Sequence, residues 1–312
     1  MKYRNKKVAL IVPCYNEEVT IYSVITRFKC AMPEIEPYVF DNNSKDNTIK
    51  EATRAGANVI SVKRKGKGNV VRRMFSDVDA DIYVMVDGDN TYEAEAVHKL
   101  VDKLIDEHLD MVVGCREVEA EVARLAYRKG HQLGNKMLTK SVARIFGGAF
   151  TDMLSGYRVF SRRYAKSFPA LTKGFEIETE LTVHALALRM PYGEVKTVYM
   201  DRPEGSESKL STYKDGICIL FTIMKLFMRE KPFLFFSILG IFFAFISTAL
   251  GIPVIMEFIN TGMVPRLPTA VLSSAIMIIA ILCIFCGLIL DSTTIARHEI
   301  KYLSYLNTKN EI

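Results

Sequence analysis

Two long apolar runs near the carboxyl end constrain the fold of this chain more than any other feature. Phe233–Met256 and Leu267–Leu290 each hold 24 residues without a charged side chain, and the link between them carries only Glu257 and Arg266. About 20 apolar residues span a bilayer as a helix, whereas helices of soluble proteins average about 11–12 residues. The runs therefore predict a transmembrane hairpin, at about 233–256 and 267–290. The alternative is a pair of buried core helices.

Basic residues around the runs predict an orientation. They flank the hairpin on its outer sides: Lys225, Arg229, Lys231, Arg297 and Lys301. Positively charged flanks remain in the cytoplasm, so both termini are expected there. The first apolar stretch, Val8–Val12, is too short for a secretory signal peptide, which agrees with this orientation.

Composition narrows the class of protein. Of the 312 residues, 49% are hydrophobic and 24% are charged, and the net charge is +6. Such a chain is too apolar to be intrinsically disordered. A net charge of +6 does not indicate nucleic acid as a partner. The six cysteines are too sparse for a disulfide scaffold, and Cys283 and Cys286 lie in an apolar run, which favours buried thiols over zinc ligands.

The rest of the chain divides around the hairpin. Residues 1–211 are expected to form a cytosolic domain, and residues 291–312 a cytosolic tail. Between Tyr213 and Arg229, apolar residues recur at helical spacing with basic residues among them. This pattern is typical of a helix in the headgroup layer, so 212–231 are predicted to form an interfacial amphipathic helix. A core helix of the globular domain is the alternative.

Short apolar segments alternate with helix-like segments over the first 117 residues. Strands are predicted at Val8–Val12, Tyr38–Phe40, Asn58–Val62, Ile82–Val86 and Met111–Gly114. Helices are predicted between them, at Glu17–Ala31, Asp46–Gly56, Gly68–Asp77 and Glu93–Glu107. The alternation is typical of an α/β fold in which helices cover both faces of a parallel sheet.

Polar side chains cluster where four of these strands end. Asn16-Glu17-Glu18 follows the first strand, Asp41-Asn42-Asn43 the second, Asp87-Gly88-Asp89 the fourth and Arg116 the fifth. Ligands of open α/β sheets bind beyond the carboxyl ends of the strands, so one polar crevice is expected there. Each group alone is also compatible with a helix N-cap.

The carboxylates of Asp87 and Asp89 point to a metal site. They follow an apolar strand and lie one residue apart, and paired carboxylates can hold Mg²⁺ or Mn²⁺ against a diphosphate. No Gly-Lys-Ser/Thr P-loop or G-x-G-x-x-G motif follows the first strand, which disfavours a P-loop kinase or a dinucleotide dehydrogenase. The basic segment Lys63–Gly68 leads into a helix, where it either contacts phosphates or forms a solvated turn.

Six motifs follow one another along the chain: Val12–Glu18, Asp41–Thr48, Lys67-Gly68, Asp87–Asp89, Leu154–Arg162 and Arg202–Leu210. In this order they resemble the motifs of family-2 glycosyltransferases. The most similar branch is the polyprenyl-phosphate sugar synthases, such as dolichol-phosphate mannose synthases and bactoprenol glucosyltransferases. The resemblance covers about residues 7–210 and implies a GT-A-type domain that binds a nucleotide-diphosphate sugar.

The resemblance also implies roles for individual residues. It assigns the nucleotide sugar to Pro13, Tyr15, Asn16, Glu17, Asp41, Lys67, Asp87 and Ser208. It assigns the metal to Asp87 and Asp89, with Thr91 at a position where mannose synthases often carry Gln. It places Arg116 and Arg128 near the acceptor phosphate, and Arg202, Ser208 and Lys209 in a late basic loop over both phosphates. Asp152 would face the sugar and the acceptor; a helix cap or a salt bridge with Arg158 is the alternative.

These roles predict a membrane-bound, metal-dependent hexosyltransferase with both termini in the cytoplasm, in a bacterial cytoplasmic membrane. It would transfer one hexose from a UDP- or GDP-sugar to polyprenyl phosphate, using Mg²⁺ or Mn²⁺. One alternative is a transferase that extends a membrane glycan at a sugar hydroxyl, with a base among Asp152, Glu176, Glu178 and Glu180. The last three otherwise begin a helix that packs through Leu181, Ala185 and Leu188. A second alternative is a non-catalytic scaffold partner of a flippase. A homo-oligomer is compatible with the sequence.

Overall fold

The structure, a computed structural model, describes residues 2–117, 131–174, 176–203, 205 and 212–309. The chain divides into two compact units. The first consists of Met1–Ile223 together with Lys301–Ile312, and the second of Met224–Ile300. The first unit is therefore discontinuous in sequence, because segments from both ends of the chain belong to it.

A seven-stranded sheet forms the centre of the described part of the first unit. Its strands are β1 (Val8–Cys14), β2 (Glu36–Asp41), β3 (Asn58–Ser61), β4 (Ile82–Met85), β5 (Met111–Glu117), β6 (Arg158–Ser161) and β7 (Tyr192–Val198). Their order is β3-β2-β1-β4-β6-β5-β7, and only β6 lies antiparallel to its neighbours. The carboxyl ends of the six parallel strands therefore share one edge with the amino end of β6.

Helices cover both faces of this sheet. They are α1 (Ile21–Ala31), α2 (Thr48–Arg54), α3 (Lys67–Asp77), α4 (Val97–Asp106), α5 (His131–Phe146), α6 (Arg162–Ser167) and α7 (Ile177–Ala187). Successive side chains of a strand point to opposite faces. Leu10 and Val12 of β1 accordingly pack into one core with α1, whereas Ala9 and Ile11 pack into a second core with α3.

The predicted α/β fold is confirmed, and each of the five predicted strands is present. Two strands were not predicted. β6 has only four residues, and β7 has the polar sequence of an edge strand, with Glu194, Lys196 and Thr197 among its residues. The helix predicted around Leu181, Ala185 and Leu188 is present as α7, and these three side chains are buried.

The carboxyl-terminal segment is anchored to the first unit through a buried acid. Asp110, just before β5, is fully buried and accepts hydrogen bonds from the hydroxyls of Ser161 (2.6 Å) and Tyr305 (2.7 Å). The Arg163 guanidinium pairs with the same carboxylate and lies 4.7 Å from the centre of the Tyr305 ring. Asp110 lies at the sheet edge opposite the predicted crevice.

The second unit contains two helices that are long and apolar enough to cross a membrane. α8 (Thr212–Glu230) precedes them, and they are α9 (Pro232–Thr261) and α10 (Leu267–Asn307). Both run past the predicted spans. α10 continues beyond Leu290 because its sequence has no Gly or Pro between there and Asn307. In the most apolar 18 residues of each helix only 11% and 17% are buried, unlike the core helix of a soluble domain.

Small residues line the contact between α9 and α10. The Ser247 hydroxyl donates to the Ser273 carbonyl at 2.7 Å, and the Ser273 hydroxyl donates back to the Ser247 carbonyl at 2.9 Å. Two turns before Ser247, a Cβ atom on Gly240 would lie 2.9 Å from the Ala280 carbonyl oxygen. Close approach of small residues and hydroxyl–carbonyl hydrogen bonds are the usual way in which helices associate in lipid.

An exposed apolar face on α8 matches the predicted interfacial helix. Ile217, Leu220, Phe221, Met224 and Met228 are exposed and lie at helical spacing, whereas Ile219, Ile223 and Leu226 are buried. The domain boundaries and the position of this helix in the headgroup layer remain predictions.

Candidate active site

The acidic pair Asp87 and Asp89 lies directly after β4, at the polar edge of the sheet. Each carboxylate is paired with a cation. The Lys67 ammonium is 2.5 Å from Asp87 Oδ1, and the Arg202 guanidinium is 2.5 Å from Asp89 Oδ2. The fold therefore brings two of the predicted basic residues, Lys67 and Arg202, to the predicted acidic pair.

Asp89 is held in one orientation. The Thr91 hydroxyl donates to Asp89 Oδ1 at 2.6 Å, so Thr91 orients the carboxylate in this structure. Its role as a metal ligand stays a prediction. Burial raises the pKa of Asp89, and Asp87 adds to this effect, whereas Arg202 opposes it. Asp89 thus has a raised pKa and lies beside a second carboxylate. A cation bound between the two would stabilise their charged forms.

The donor set of this pair fits a hard divalent ion. Mg²⁺ is usually bound by one or two carboxylates together with substrate phosphates and water rather than by an all-protein cage. Asp87 and Asp89 would hold the ion, and a bound diphosphate would complete its ligands.

Arg202 is brought to the acidic pair by backbone pairing. The Met200 amide donates to the Thr91 carbonyl at 2.8 Å, and Tyr92 and Tyr199 form an antiparallel bridge. The segment after β7 thus lies alongside the segment after Asp89. This explains how a residue 113 positions later in the chain reaches Asp89.

Arg116 and Asp152 form a third ion pair at this edge. Arg116 Nε and Nη2 lie 2.7 and 2.8 Å from the two oxygens of Asp152, a bidentate geometry. Arg158, the alternative partner of Asp152, is fully buried and donates instead to the Ser155 carbonyl and the Thr182 hydroxyl.

Tyr92 is buried and packs against Tyr157 and Tyr199. Burial raises the pKa of Tyr92 well above its ordinary value, and so does the charge of Asp87, whereas Arg116 acts in the opposite direction. The Arg116 guanidinium lies 5.5 Å from the centre of the Tyr199 ring, which itself packs against Tyr92. Arg116 therefore belongs to the same site as the acidic pair.

The segment Ser155-Gly156-Tyr157 closes over Asp87. The Ser155 hydroxyl donates to the Gly114 carbonyl at 2.6 Å, and the Gly156 amide donates to the Tyr92 hydroxyl at 2.9 Å. A Cβ atom on Gly156 would lie 2.3 Å from Asp87 Oδ2. Only glycine allows the backbone to approach the carboxylate this closely, a role that the motif alone did not reveal.

The predicted nucleotide end of the site is built from two loops that hydrogen-bond to each other. The Asn16 amide donates to the Ser44 hydroxyl at 2.9 Å, and the Lys45 amide donates to Asn16 Oδ1 at 2.8 Å. Asp41 is buried and accepts from the Ser44 amide. Glu17 is nearly buried, Pro13 lies in β1, and Tyr15 is 39% exposed beside them. The contact of these residues with a nucleotide stays a prediction.

Asn42 attaches the basic segment to this loop pair. Its side-chain amide donates to the carbonyls of Val62 and Arg64, and its Oδ1 accepts from the Gly66 amide at 2.7 Å. Both N–H donors of the Asn42 side chain and one of its two acceptor lone pairs are thus used in hydrogen bonds to residues 62–66. Asn42 fixes the position of the basic segment beside the nucleotide end, and sequence reasoning had treated it only as part of a polar cluster.

Two of the glutamates considered as bases accept hydrogen bonds from backbone amides instead. Glu180 accepts from the amides of Leu171 and Thr172, and Glu176 Oε1 accepts from the Gly174 amide. Glu178 is buried and pairs with Lys67 at 2.5 Å. Arg128, Ser208 and Lys209, which were predicted to contact phosphates, lie outside the described residues.

Comparison with known proteins agrees with the motifs. The model of glycosyl transferase family 2 matches residues 9–168. Glycosyltransferase AglJ of Haloferax volcanii is 34% identical over 78% of this chain and 79% of its own length. A dolichyl-phosphate hexose transferase of the same organism is 26% identical over 74% and 98%. An undecaprenyl-phosphate 4-deoxy-4-formamido-L-arabinose transferase of Klebsiella pneumoniae is 24% identical over 90% and 84%.

A solved structure supports the fold. Glucosyl-3-phosphoglycerate synthase of Mycobacterium tuberculosis, crystallised with Mn²⁺, UDP and glucosyl-3-phosphoglycerate, aligns with a TM-score of 0.56 and 23% identity. The alignment covers 70% of this chain and 80% of that one, and it shows the GT-A fold that the motifs implied. Because the family model also spans half of the sequence, this chain belongs to glycosyltransferase family 2.

Proposed function

We propose that this glycosyltransferase transfers one hexose from a UDP- or GDP-sugar to polyprenyl phosphate, and that the product is polyprenyl-phosphate hexose. The observation that carries the proposal is the presence of two arginines, Arg116 and Arg202, at the edge that holds Asp87 and Asp89. Relatives named for dolichyl phosphate and undecaprenyl phosphate support the choice of acceptor.

The charges suit a reaction between two phosphate-bearing substrates. Mg²⁺ or Mn²⁺ on Asp87 and Asp89 would neutralise the leaving diphosphate. Arg202, next to Asp89, would bind phosphate oxygens of the donor. Arg116, held by Asp152, would position a second phosphate. The solved structure of a glucosyl-3-phosphoglycerate synthase with the same fold contains Mn²⁺ and UDP. This supports the proposal of a divalent ion and a nucleotide-diphosphate sugar.

A phosphate acceptor needs no general base. Its oxygen is already deprotonated near neutral pH, so it attacks the anomeric carbon directly while the bond from that carbon to the nucleoside diphosphate breaks. The four candidate bases all have other partners in this structure: Asp152 binds Arg116, Glu178 binds Lys67, and Glu176 and Glu180 hold loop amides. This arrangement favours the phosphate acceptor over a sugar hydroxyl, which requires a base.

The test is the structure of the product. Purified protein in detergent is incubated with Mn²⁺, undecaprenyl phosphate and a panel of radiolabelled UDP- and GDP-hexoses, and the lipid product is analysed by mass spectrometry. We expect one hexose joined to the prenol through a single phosphate. A diphosphate linkage, or a sugar attached to another sugar's hydroxyl, would reject the proposed acceptor.

The membrane location is part of the proposal. We expect α9 and α10 to cross the cytoplasmic membrane of a bacterium, with the catalytic unit and both termini in the cytoplasm, because basic residues lie on the outer flanks. Polyprenyl phosphate keeps its headgroup at the membrane surface, so an anchored enzyme searches for it in two dimensions. The exposed apolar face of α8 would lie in the headgroup layer.

Reporter fusions test this orientation. We fuse a phosphatase or fluorescent reporter at Lys2 and another after Ile312. Both are expected to indicate a cytoplasmic location. A small tag inserted at Gly262, where α9 ends, is expected to be accessible from outside. Termini on opposite sides of the membrane would contradict the hairpin.

A further inference from the structure

Lys67 lies between two carboxylates, one of the acidic pair, Asp87, and one that is buried, Glu178. Its Nζ atom is 2.5 Å from Asp87 Oδ1 and 2.5 Å from Glu178 Oε1. The Lys67 side chain is 8% exposed and that of Glu178 is 6% exposed. Burial works to lower the pKa of Lys67, but the two acids outweigh it and raise the pKa above its ordinary value. The ammonium is therefore held charged and largely out of solvent.

The two elements that carry Lys67 and Glu178 are locked together by backbone contacts. Lys67 begins α3, and the preceding Gly66 has a φ of +113°, with the Lys173 carbonyl only 2.1 Å from where a Cβ would be. The Gly68 amide donates to the same carbonyl at 3.0 Å. Glu180, on the first turn of α7 with Glu178, holds the neighbouring amides of Leu171 and Thr172. The Lys67–Glu178 contact is thus fixed by the fold.

Folding alone does not account for the choice of glutamate at position 178. Its Oε2 atom is buried and has no hydrogen-bond partner among the described residues. Burial raises the pKa of Glu178, and the Lys67 charge opposes that shift. A buried acid with one unsatisfied oxygen is costly, so its presence at this position calls for an explanation.

We propose that Glu178 is a positioning residue for the transfer reaction: it holds the Lys67 ammonium on Asp87 Oδ1, so that Asp87 keeps one orientation toward the metal and the diphosphate. Gly156 closes the other side of the same carboxylate, at Oδ2. Lysine has a long, flexible side chain, and without Glu178 it could leave Asp87 for an incoming phosphate. Lys67 is then a counter-ion of Asp87 rather than a direct phosphate ligand. This inference rests on the proposed transferase function.

Chemical labelling tests the positioning itself. Lysines of the full-length protein in detergent are acetylated with acetic anhydride, and labelling at Lys67 is followed by mass spectrometry. In Glu178→Gln, which keeps the shape but loses the charge, we expect Lys67 to be labelled about tenfold faster, the effect of losing one charge-assisted hydrogen bond. As a matched control, Glu107→Gln removes the partner of Lys103, an exposed pair at 2.7 Å, and should leave Lys67 labelling unchanged. Unchanged Lys67 labelling in Glu178→Gln would overturn the proposal.

A double-mutant cycle tests the link to catalysis. Turnover of Lys67→Met, Glu178→Gln and the double variant is compared with that of the wild type. If Glu178 acts through Lys67, each single change should lower kcat by a similar factor, about tenfold or more, and the double variant should lose no more than either. Additive losses would show that Glu178 acts independently and would reject the proposal, as would faster labelling without any loss of turnover.

The two readouts separate this inference from the proposed function. Labelling of Lys67 involves no acceptor, so it reports on the Glu178 contact even if the lipid product is not formed. Thermal unfolding of each variant in the same detergent identifies loss of fold. If Glu178→Gln unfolds, the labelling comparison is made with Glu178→Asp, whose shorter side chain keeps the charge but should hold Lys67 less closely. Equal labelling of this variant and the wild type would then count against the proposal.

Discussion

Replacing Asp89 by alanine is expected to lower turnover by about a thousandfold while leaving the protein folded. The change removes one of two carboxylates that would hold the metal, and loss of one preorganised electrostatic group in an active site commonly costs a hundred- to a thousandfold. The fold should survive because burial already disfavours the charged form of Asp89. Arg202, its partner, is 25% exposed and can be hydrated once the acid is gone. Initial rates with saturating Mn²⁺, together with thermal unfolding, provide the measurement.

The matched control for this change is Asp79→Ala. Asp79 is also an aspartate paired with an arginine, Arg162, but it is 72% exposed and lies before β4 rather than after it. Its replacement should leave turnover within about twofold, since exposed ion pairs contribute little. Excess EDTA should reproduce the loss seen in Asp89→Ala, and added Mg²⁺ or Mn²⁺ should restore the wild type. Full turnover in EDTA would contradict the metal site.

Replacing Gly156 by alanine is expected to reduce turnover by about a hundredfold, even though the change adds a single methyl group. The new Cβ would lie 2.3 Å from Asp87 Oδ2, well inside van der Waals contact, so the carboxylate or the backbone must move. Lys67 holds the other oxygen of Asp87, and the Tyr92 hydroxyl holds the Gly156 amide. Neither side can move without breaking one of these hydrogen bonds, and a shift of about 1 Å in a catalytic group can cost about a hundredfold.

Gly174→Ala provides a close comparison for Gly156→Ala. A Cβ there would also meet a carboxylate oxygen, Glu176 Oε2, at 2.6 Å. Glu176 is a flexible, partly exposed side chain that can rotate away, so turnover should stay close to that of the wild type. Equal activity of the two alanine variants would mean that the orientation of Asp87 does not matter for the reaction.

The polar residues at the strand ends could be predicted from the sequence because they directly follow the apolar strands along the chain. A buried strand followed by acids, as in Val84–Asp89, indicates both where the strand stops and where its ligands lie. Confirmed predictions such as the α/β fold rest on patterns of this kind. The two long apolar helices could also be predicted, since an uncharged run of 24 residues is a composition signal that requires no tertiary contact.

The pairing of distant residues could not be predicted in the same way. Arg116 binds Asp152 because β6 runs antiparallel between β4 and β5 and brings the 150s segment to the polar edge. Lys67 binds Glu178 because the segment before α7 hydrogen-bonds to the start of α3. Nothing in the four residues of β6 indicates that direction. Sequence reasoning therefore identified both acids, but it gave Asp152 a role beside the sugar and acceptor, with a helix cap or a salt bridge to Arg158 as the alternative. It considered Glu178 only as a base or as part of a helix start.

The contact between Tyr305 and Asp110 has a consequence for the order in which the enzyme can be completed. A ribosome makes Asp110, Ser161 and Arg163 before either apolar helix, and it makes Tyr305 after both of them. Until then Asp110 lacks one of its hydrogen-bond donors. The catalytic unit thus reaches its final form only after the chain's two apolar helices have been translated, and a soluble fragment that ends at Ile223 would resemble the nascent state rather than the finished enzyme.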